Sequence, residues 1–191
     1  MPLILASSSA IRRDLLAAAG VAVTVAEPDF DEEPVKAAHA CEPERLAQTL
    51  AEGKAASLGC PDWTIGADSL VAVEGRRFSK PRTREEASEH LHYFSAREMH
   101  LTSAVALARD GRVDWSHSDT ARLHVRPLSD SFIESYLDAE WPAISWCAGA
   151  FRMEARGPTL FERIDGSHFT ILGLPLLPLL SALRARGVLA S

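Results

Sequence analysis

Leu3-Ile4-Leu5-Ala6-Ser7-Ser8-Ser9, followed by Ile11, Leu15, Leu16 and Ala19, is the stretch that decides the fold class. Four consecutive apolar residues read as a short buried strand. The apolar residues after the serines recur at helical spacing, and Gly20 stops the helix. A strand running through a hydroxyl-rich turn into a helix is the opening of an α/β protein.

Reading outward, Val21 to Ala26 is expected to be a second strand and the acidic, proline-containing stretch Glu27 to Glu42 a loop. Pro43 to Leu58 reads as a helix with Leu46, Leu50 and Leu58 on one face. Trp63 to Ala67 reads as a buried strand meeting Asp68, Leu70 to Val73 continues extended, and Glu74-Gly75-Arg76-Arg77 is a turn. Thr83 and Glu86 form a capping box before Ala87, Leu91 and Phe94. Met99 to Ala108 and Val113 to Val125 are two long strands, and Asp110-Gly111 between them is a hairpin signal. Ser129 caps a helix carrying Tyr136 and Leu137, and a last helix runs from about Leu176 to Arg186. The class is α/β, mixed α+β, with a mixed twisted sheet.

The 191 residues are 47% hydrophobic and 24% charged, an ordinary globular composition. The formal net charge of −6 argues against a nucleic-acid binder, whose affinity rests on basic phosphate contacts. Three widely spaced cysteines, Cys41, Cys60 and Cys147, give no disulfide framework and read as reduced thiols of a cytoplasmic protein. The apolar N-terminus lacks the preceding positive charge of a signal peptide. Ile171 to Leu183 is too short to span a bilayer and contains Pro175 and Pro178, so no membrane association is expected. The seven histidines show no zinc-ligand spacing, and there is no Walker A loop, GxGxxG or GxSxG.

Four features carry chemistry. Ser7-Ser8-Ser9 with Arg12-Arg13 puts hydroxyls and free N–H groups at a helix start, where anions bind; the alternative is a plain serine cap with solvated arginines. Asp68, in Ile65-Gly66-Ala67-Asp68-Ser69, stands after a buried strand with Gly66 and Ala67 leaving room for a ligand. It suits a divalent metal or an attacking water, against a role as a turn cap. Lys54 falls on an apolar stripe and must snorkel or find a partner, whereas Lys80 reads as a loop lysine in solvent. The set Asp29, Asp31, Glu32 and Glu33 offers oxygen ligands for magnesium or manganese, although such a run is usually a solvated loop, and Glu154 reads the same way.

Taken together these motifs resemble the Maf family (septum-formation-inhibitor-like proteins) along nearly the whole chain. Leu3 to Ser9 with Arg12 to Leu16 is similar to the opening LILASxSPxRRxLL, Asp31-Glu32 to the DE pair, and Leu46-Ala47 with Lys54-Ala55 to the RLAxxKA helix. Ile65 to Asp68 is similar to IGADT and Lys80-Pro81 to GKP. Leu160 to Gly166 and Gly173 to Leu176 resemble the closing motifs. The resemblance implies one Maf-like domain over residues 1–191, two-lobed around a mixed sheet with a central cleft, like inosine triphosphate pyrophosphatase. It implies hydrolysis of nucleoside triphosphates to monophosphate and pyrophosphate with Mg or Mn, by a homodimer.

By the same resemblance Asp68 is catalytic, Ser7, Ser9, Arg12, Lys54 and Lys80 bind substrate, and Glu32 with Asp68 holds the metal. Ile11, Ser69 and Glu154 set specificity. Cys147 to Phe151 with Glu154 looks like the branch acting on 7-methyl-GTP, because the dTTP and UTP branch has glutamine where Glu154 stands. Ala10-Ile11, Ser69 and Ser79 depart from the family pattern. Two rivals stand beside this reading: a non-catalytic nucleotide-binding regulator of septum formation, and a phosphatase removing only the terminal phosphate.

Overall fold

The computed structural model describes residues 2–38 and 43–190. Cys41 and the end of the expected acidic loop lie outside the described residues. The first elements are β1 (Leu3–Ala6), α1 (Ala10–Ala18) and β2 (Thr24–Ala26). They continue with α2 (Glu33–Ala38), α3 (Pro43–Ala56), β3 (Trp63–Val73), β4 (Arg76–Phe78) and α4 (Arg84–Phe94). Then follow β5 (Glu98–Arg109), β6 (Arg112–Val125), α5 (Asp130–Glu140), β7 (Phe161–Asp165), α6 (His168–Ile171) and α7 (Leu176–Ala185).

Among the described residues, seven strands form one mixed sheet ordered β2-β1-β3-β5-β6-β7, with β4 paired to β3. β1 pairs in parallel with β2 and with β3, while β3–β4 and β6–β7 are antiparallel. The expected hairpin between β5 and β6 is present, with φ of 52° at Asp110 and 71° at Gly111. Both central φ values are positive, as a turn matching the strand twist requires. Thr83 accepts a 3.1 Å hydrogen bond from the Glu86 N–H, and Ser129 accepts one of 3.2 Å from the Phe132 N–H. Both expected caps are therefore made.

Three expectations are corrected. The strand expected from Val21 begins only at Thr24. The acidic stretch is not all loop: Asp31 accepts the Glu33 N–H at 3.1 Å and opens α2, whose Pro34 is tolerated in a first turn because its missing N–H has no helical partner there. Asp68 does not follow a strand but lies inside β3. The parallel partner β1 ends with Ala6 opposite Gly66, so Asp68 stands two residues past the carboxyl end of that pairing.

The chain divides into two compact units. The first comprises Met1–Ser69, Thr102–Thr120 and Ser167–Ser191; the second comprises Leu70–Leu101 and Ala121–Gly166. In the first, Leu3, Leu5, Ile65, Ala67, Val105 and Leu107 pack with Leu16 of α1 and Leu176, Leu179 and Leu183 of α7. In the second, Phe78 meets Phe94 edge to face at 4.7 Å.

On β3 successive side chains face opposite ways. Leu5, Ile65 and Ala67 look into the core, so Gly66 and Asp68 share the other face, which α3 covers. A Cβ on Gly66 would lie 2.2 Å from the Ala51 carbonyl oxygen and 2.4 Å from the Ala55 nitrogen. The space left by Gly66 is therefore filled by the backbone of α3, not by a ligand. Ala47, Ala51 and Ala55, all fully or almost fully buried, line the side of α3 that comes this close. Gly66→Ala is expected to destabilise the fold by about 1–3 kcal/mol, the usual cost of overpacking. Urea unfolding checks this, and an unchanged midpoint would show that α3 does not rest on Gly66.

Candidate active site

The close approach of α3 to β3 sets Lys54, in the last turn of the helix, beside Asp68. The Lys54 Nζ lies 2.5 Å from Asp68 Oδ1 and 2.7 Å from Glu32 Oε1. Only 12% of the Lys54 side chain and 13% of the Asp68 side chain remain exposed. A cation on an apolar stripe has thus found two partners rather than snorkelled. Asp68 Oδ2 has no hydrogen-bond donor among the described residues. Of the acidic set, Glu32 alone reaches this cluster. Asp31 caps α2 and Glu33 pairs with Lys36. Phe30 packs over Gly53, whose missing Cβ makes room for the ring, and so fastens the segment carrying Glu32 to α3.

Glu32 also pairs with Lys36, Oε2 to Nζ at 2.8 Å. Burial alone would raise its carboxyl, but hydrogen bonds and charges from Lys36 and Lys54 outweigh that and hold it down at about 2.

Arg12, on the first turn of α1, is the second fixed cation. Its Nε donates to the Gly173 carbonyl at 2.8 Å. Nη1 donates to the Ala67 carbonyl at 2.9 Å and to Ser7 Oγ at 3.2 Å, and Nη2 donates to Ser69 Oγ at 3.0 Å. Four of its five N–H bonds are committed to protein. Burial pulls the guanidinium below its ordinary range, while the charges of Asp68 and Glu32 pull it back up. Gly173 has φ of 93°, open to glycine at little cost, and this conformation turns its carbonyl toward Arg12. Ser7, 7% exposed, also receives the Ser9 N–H at 3.3 Å. Ser9 is the N-cap of α1, yet its side chain makes no capping hydrogen bond. The first N–H groups of this nine-residue helix therefore remain available to an anion.

The structure thus gathers Ser7, Ser9, Arg12, Glu32, Lys54, Asp68 and Ser69 in the first unit, with Ile11 half-buried on α1. Lys80 and Glu154 belong to the second unit, both exposed. There Cys147 is pushed up by burial and by Glu154, an effect opposed by Arg152 and Lys80. The segment around Glu154 is fastened by Arg152, which donates to the buried Glu140 from Nε at 3.1 Å and Nη2 at 2.9 Å. Tyr136 adds a hydrogen bond to the Ala150 carbonyl at 3.3 Å. Sequence reading overlooked Ser103, Thr170 and the Gly173 carbonyl. A hydroxyl inside the apolar run Met99 to Ala108 was the visible signal for Ser103.

Asp68 and Glu32 are the carboxylates that the cluster offers to a divalent cation. Among the described residues no group of three or more His, Cys, Asp or Glu is arranged as a metal cage. Asp68 and Glu32 converge on the Lys54 Nζ, and Asp68 Oδ2 has no donor among the described residues; magnesium is commonly held by one or two carboxylates with substrate phosphates and water.

The family model described as "Maf-like protein" matches residues 2–186. A nucleoside triphosphate pyrophosphatase of Sphingopyxis alaskensis is 43% identical over 195 residues, covering 98% of each chain. A 7-methyl-GTP pyrophosphatase of Rhizobium meliloti is also 43% identical, over 194 residues, covering 98% of this chain and 97% of the relative. Among solved structures, the Ham1 protein of Staphylococcus aureus is similar at a TM-score of 0.49 and 14% identity, covering 98% of this chain and 100% of that one.

Because the native Glu32 carboxyl lies below its ordinary value of 4.5, its contribution to stability is present above that value and is lost as pH falls toward about 2. In metal-free protein, Lys54→Met is expected to move the Glu32 titration upward. Carboxyl NMR reads this directly, and an ordinary Glu32 titration in the unaltered protein would contradict the ion-pair geometry.

Proposed function

The chain belongs to the Maf-like protein family, and from that premise we propose that it hydrolyses nucleoside triphosphates to monophosphate and pyrophosphate. The observation that carries this reading is Asp68, held through Oδ1 by Lys54, with no donor to Oδ2 among the described residues, in one unit with a helix start whose N-cap side chain makes no capping bond. The near-complete alignment with relatives named as pyrophosphatases supports it.

The N–H groups at the start of α1 and the Ser9 hydroxyl bind the phosphate chain, and the positive end of the helix favours its charge. Asp68 Oδ2 orients a water and accepts its proton as the water oxygen attacks the α phosphorus. The bond from the α phosphorus to the oxygen bridging to the β phosphorus breaks, and pyrophosphate departs. Lys54 and Arg12 keep the cluster close to neutral before substrate arrives, so no reorganisation of charge is needed in the transition state. Glu32 and Asp68 would hold a magnesium or manganese ion, which supplies charge neutralisation on the phosphates. Lys80 is a further phosphate contact carried by the resemblance.

Two equally similar relatives bear different substrate names, so the base preference is argued from Glu154. A carboxylate accepts hydrogen bonds from the N1 and amino groups of a guanine, which favours 7-methyl-GTP or a similar modified nucleotide.

Product analysis with dTTP, UTP, CTP, GTP and 7-methyl-GTP tests the reading. Monophosphate plus pyrophosphate is expected; diphosphate plus phosphate, or no product at all, would overturn it. Asp68→Asn is expected to lower kcat by about 10²-fold or more. Glu154→Gln is expected to change which nucleotide is preferred while turnover persists, and an unaltered preference across the panel would remove Glu154 from base selection.

A further inference from the structure

Ser69 follows Asp68 on β3, and strand alternation turns its side chain to the opposite face. There Ser69 Oγ lies 2.8 Å from Ser103 Oγ, 3.0 Å from Arg12 Nη2 and 3.4 Å from the Gly173 carbonyl. Ser103 is completely buried on β5 and donates its proton to the Thr170 carbonyl at 2.8 Å. Thr170, also completely buried, donates its own hydroxyl to Asp119 Oδ2 at 2.5 Å.

The protons of this network follow from counting. A hydroxyl has one proton and two lone pairs. Ser103 has given its proton to Thr170, so at 2.8 Å from Ser69 it must accept. Ser69 must then donate to Ser103, because the other choice, the Gly173 carbonyl at 3.4 Å, would leave two lone pairs facing each other across 2.8 Å. With its proton committed, Ser69 meets Arg12 as an acceptor. The direction is fixed along the whole line, from Arg12 Nη2–H to Ser69, from Ser69 to Ser103, and from Ser103 to the Thr170 carbonyl.

Arg12 therefore grips both neighbours of Asp68, the Ala67 carbonyl through Nη1 and the Ser69 hydroxyl through Nη2. We infer that Ser103 is a positioning residue: it orients Ser69 so that Arg12 clamps the strand on both sides of Asp68. The inference rests on the pyrophosphatase reading above, and it deepens it by separating two jobs. Lys54 sets the charge around the Asp68 carboxylate, and the Arg12–Ser69–Ser103 chain sets where that carboxylate stands. Catalysis by an aligned water is sensitive to displacements of about 1 Å, so loosening the clamp acts on the chemical step.

The test uses Ser103→Ala, Ser69→Ala, the double variant and Ser69→Thr. Ser103→Ala keeps the fold, because the Thr170 carbonyl still accepts the Gly173 N–H at 3.0 Å and β5 already carries Ala104 and Ala106. With Ser103 gone, the Ser69 proton turns to the Gly173 carbonyl, which Arg12 Nε already occupies. The expected result is a fall in kcat of about 10-fold with KM changed less than about 2-fold. The double variant is expected to be no slower than Ser69→Ala alone, because one broken link already opens the chain. Ser69→Thr, which keeps the hydroxyl, is expected to lose less kcat than Ser69→Ala. Hydrogen exchange of the Arg12 Nε–H, followed by NMR without substrate, is expected to quicken in Ser103→Ala. Unaltered exchange, an unaltered kcat, or losses that simply add in the double variant would overturn the inference. Unaltered protein that releases no pyrophosphate would instead overturn the pyrophosphatase reading, and the Arg12 exchange would still decide whether the chain exists.

Discussion

One ammonium group held between two carboxylates governs the arrangement of the first unit. Lys54 cannot lie on the apolar side of α3 without partners, and Asp68 and Glu32 cannot approach each other without a cation between them. Lys54 and Asp68 are 12% and 13% exposed, so removing either leaves the other's charge poorly compensated, toward the ~3–5 kcal/mol cost seen in buried pairs, whereas Glu32 at 32% exposed is screened by solvent. The contact exists only because Gly66 lets the backbone of α3 descend onto β3 and because Phe30 on Gly53 ties down the segment bearing Glu32. A backbone constraint thus becomes an electrostatic one, and the electrostatic one gives Asp68 one oxygen bonded to Lys54 and one without a donor among the described residues.

The period of a strand then divides the labour. Asp68 and Ser69 are neighbours in sequence and face opposite sides of β3. The α3 side supplies charge, through Lys54 and Glu32. The other side supplies rigidity, through Arg12, Ser103 and the Gly173 carbonyl. Because β1 stops opposite Gly66 while β3 continues, both side chains stand just past the end of a parallel pair. That is where α/β sheets present reactive groups.

Much of this was legible in the sequence. The strand-turn-helix opening, the Asp110-Gly111 hairpin, and the caps at Thr83 and Ser129 rest on local chemistry, which a sequence displays. The motifs marked Ser7, Arg12, Lys54 and Asp68, which the structure brings together in the first unit. What they could not show was direction. Arg12 looked like a phosphate ligand, but four of its five N–H bonds are spent on the protein, three of them on positions 67, 69 and 173, far away along the chain. Gly66 looked like room for a ligand, and only the placement of α3 shows what fills it. The short helix at Glu33 was hidden because its start depends on Asp31 reaching the Glu33 N–H, which an acidic composition disguises as loop. Ser103 was a polar residue in an apolar strand, and its partner at position 170 lies beyond any local pattern.

In the proposed reaction Asp68 directs water at the α phosphorus. This is tested most directly by turnover in water enriched in oxygen-18, followed by mass spectrometry of both products. One labelled oxygen is expected in the nucleoside monophosphate and none in the pyrophosphate. Label in the pyrophosphate would place the attack on the β phosphorus and contradict that reaction.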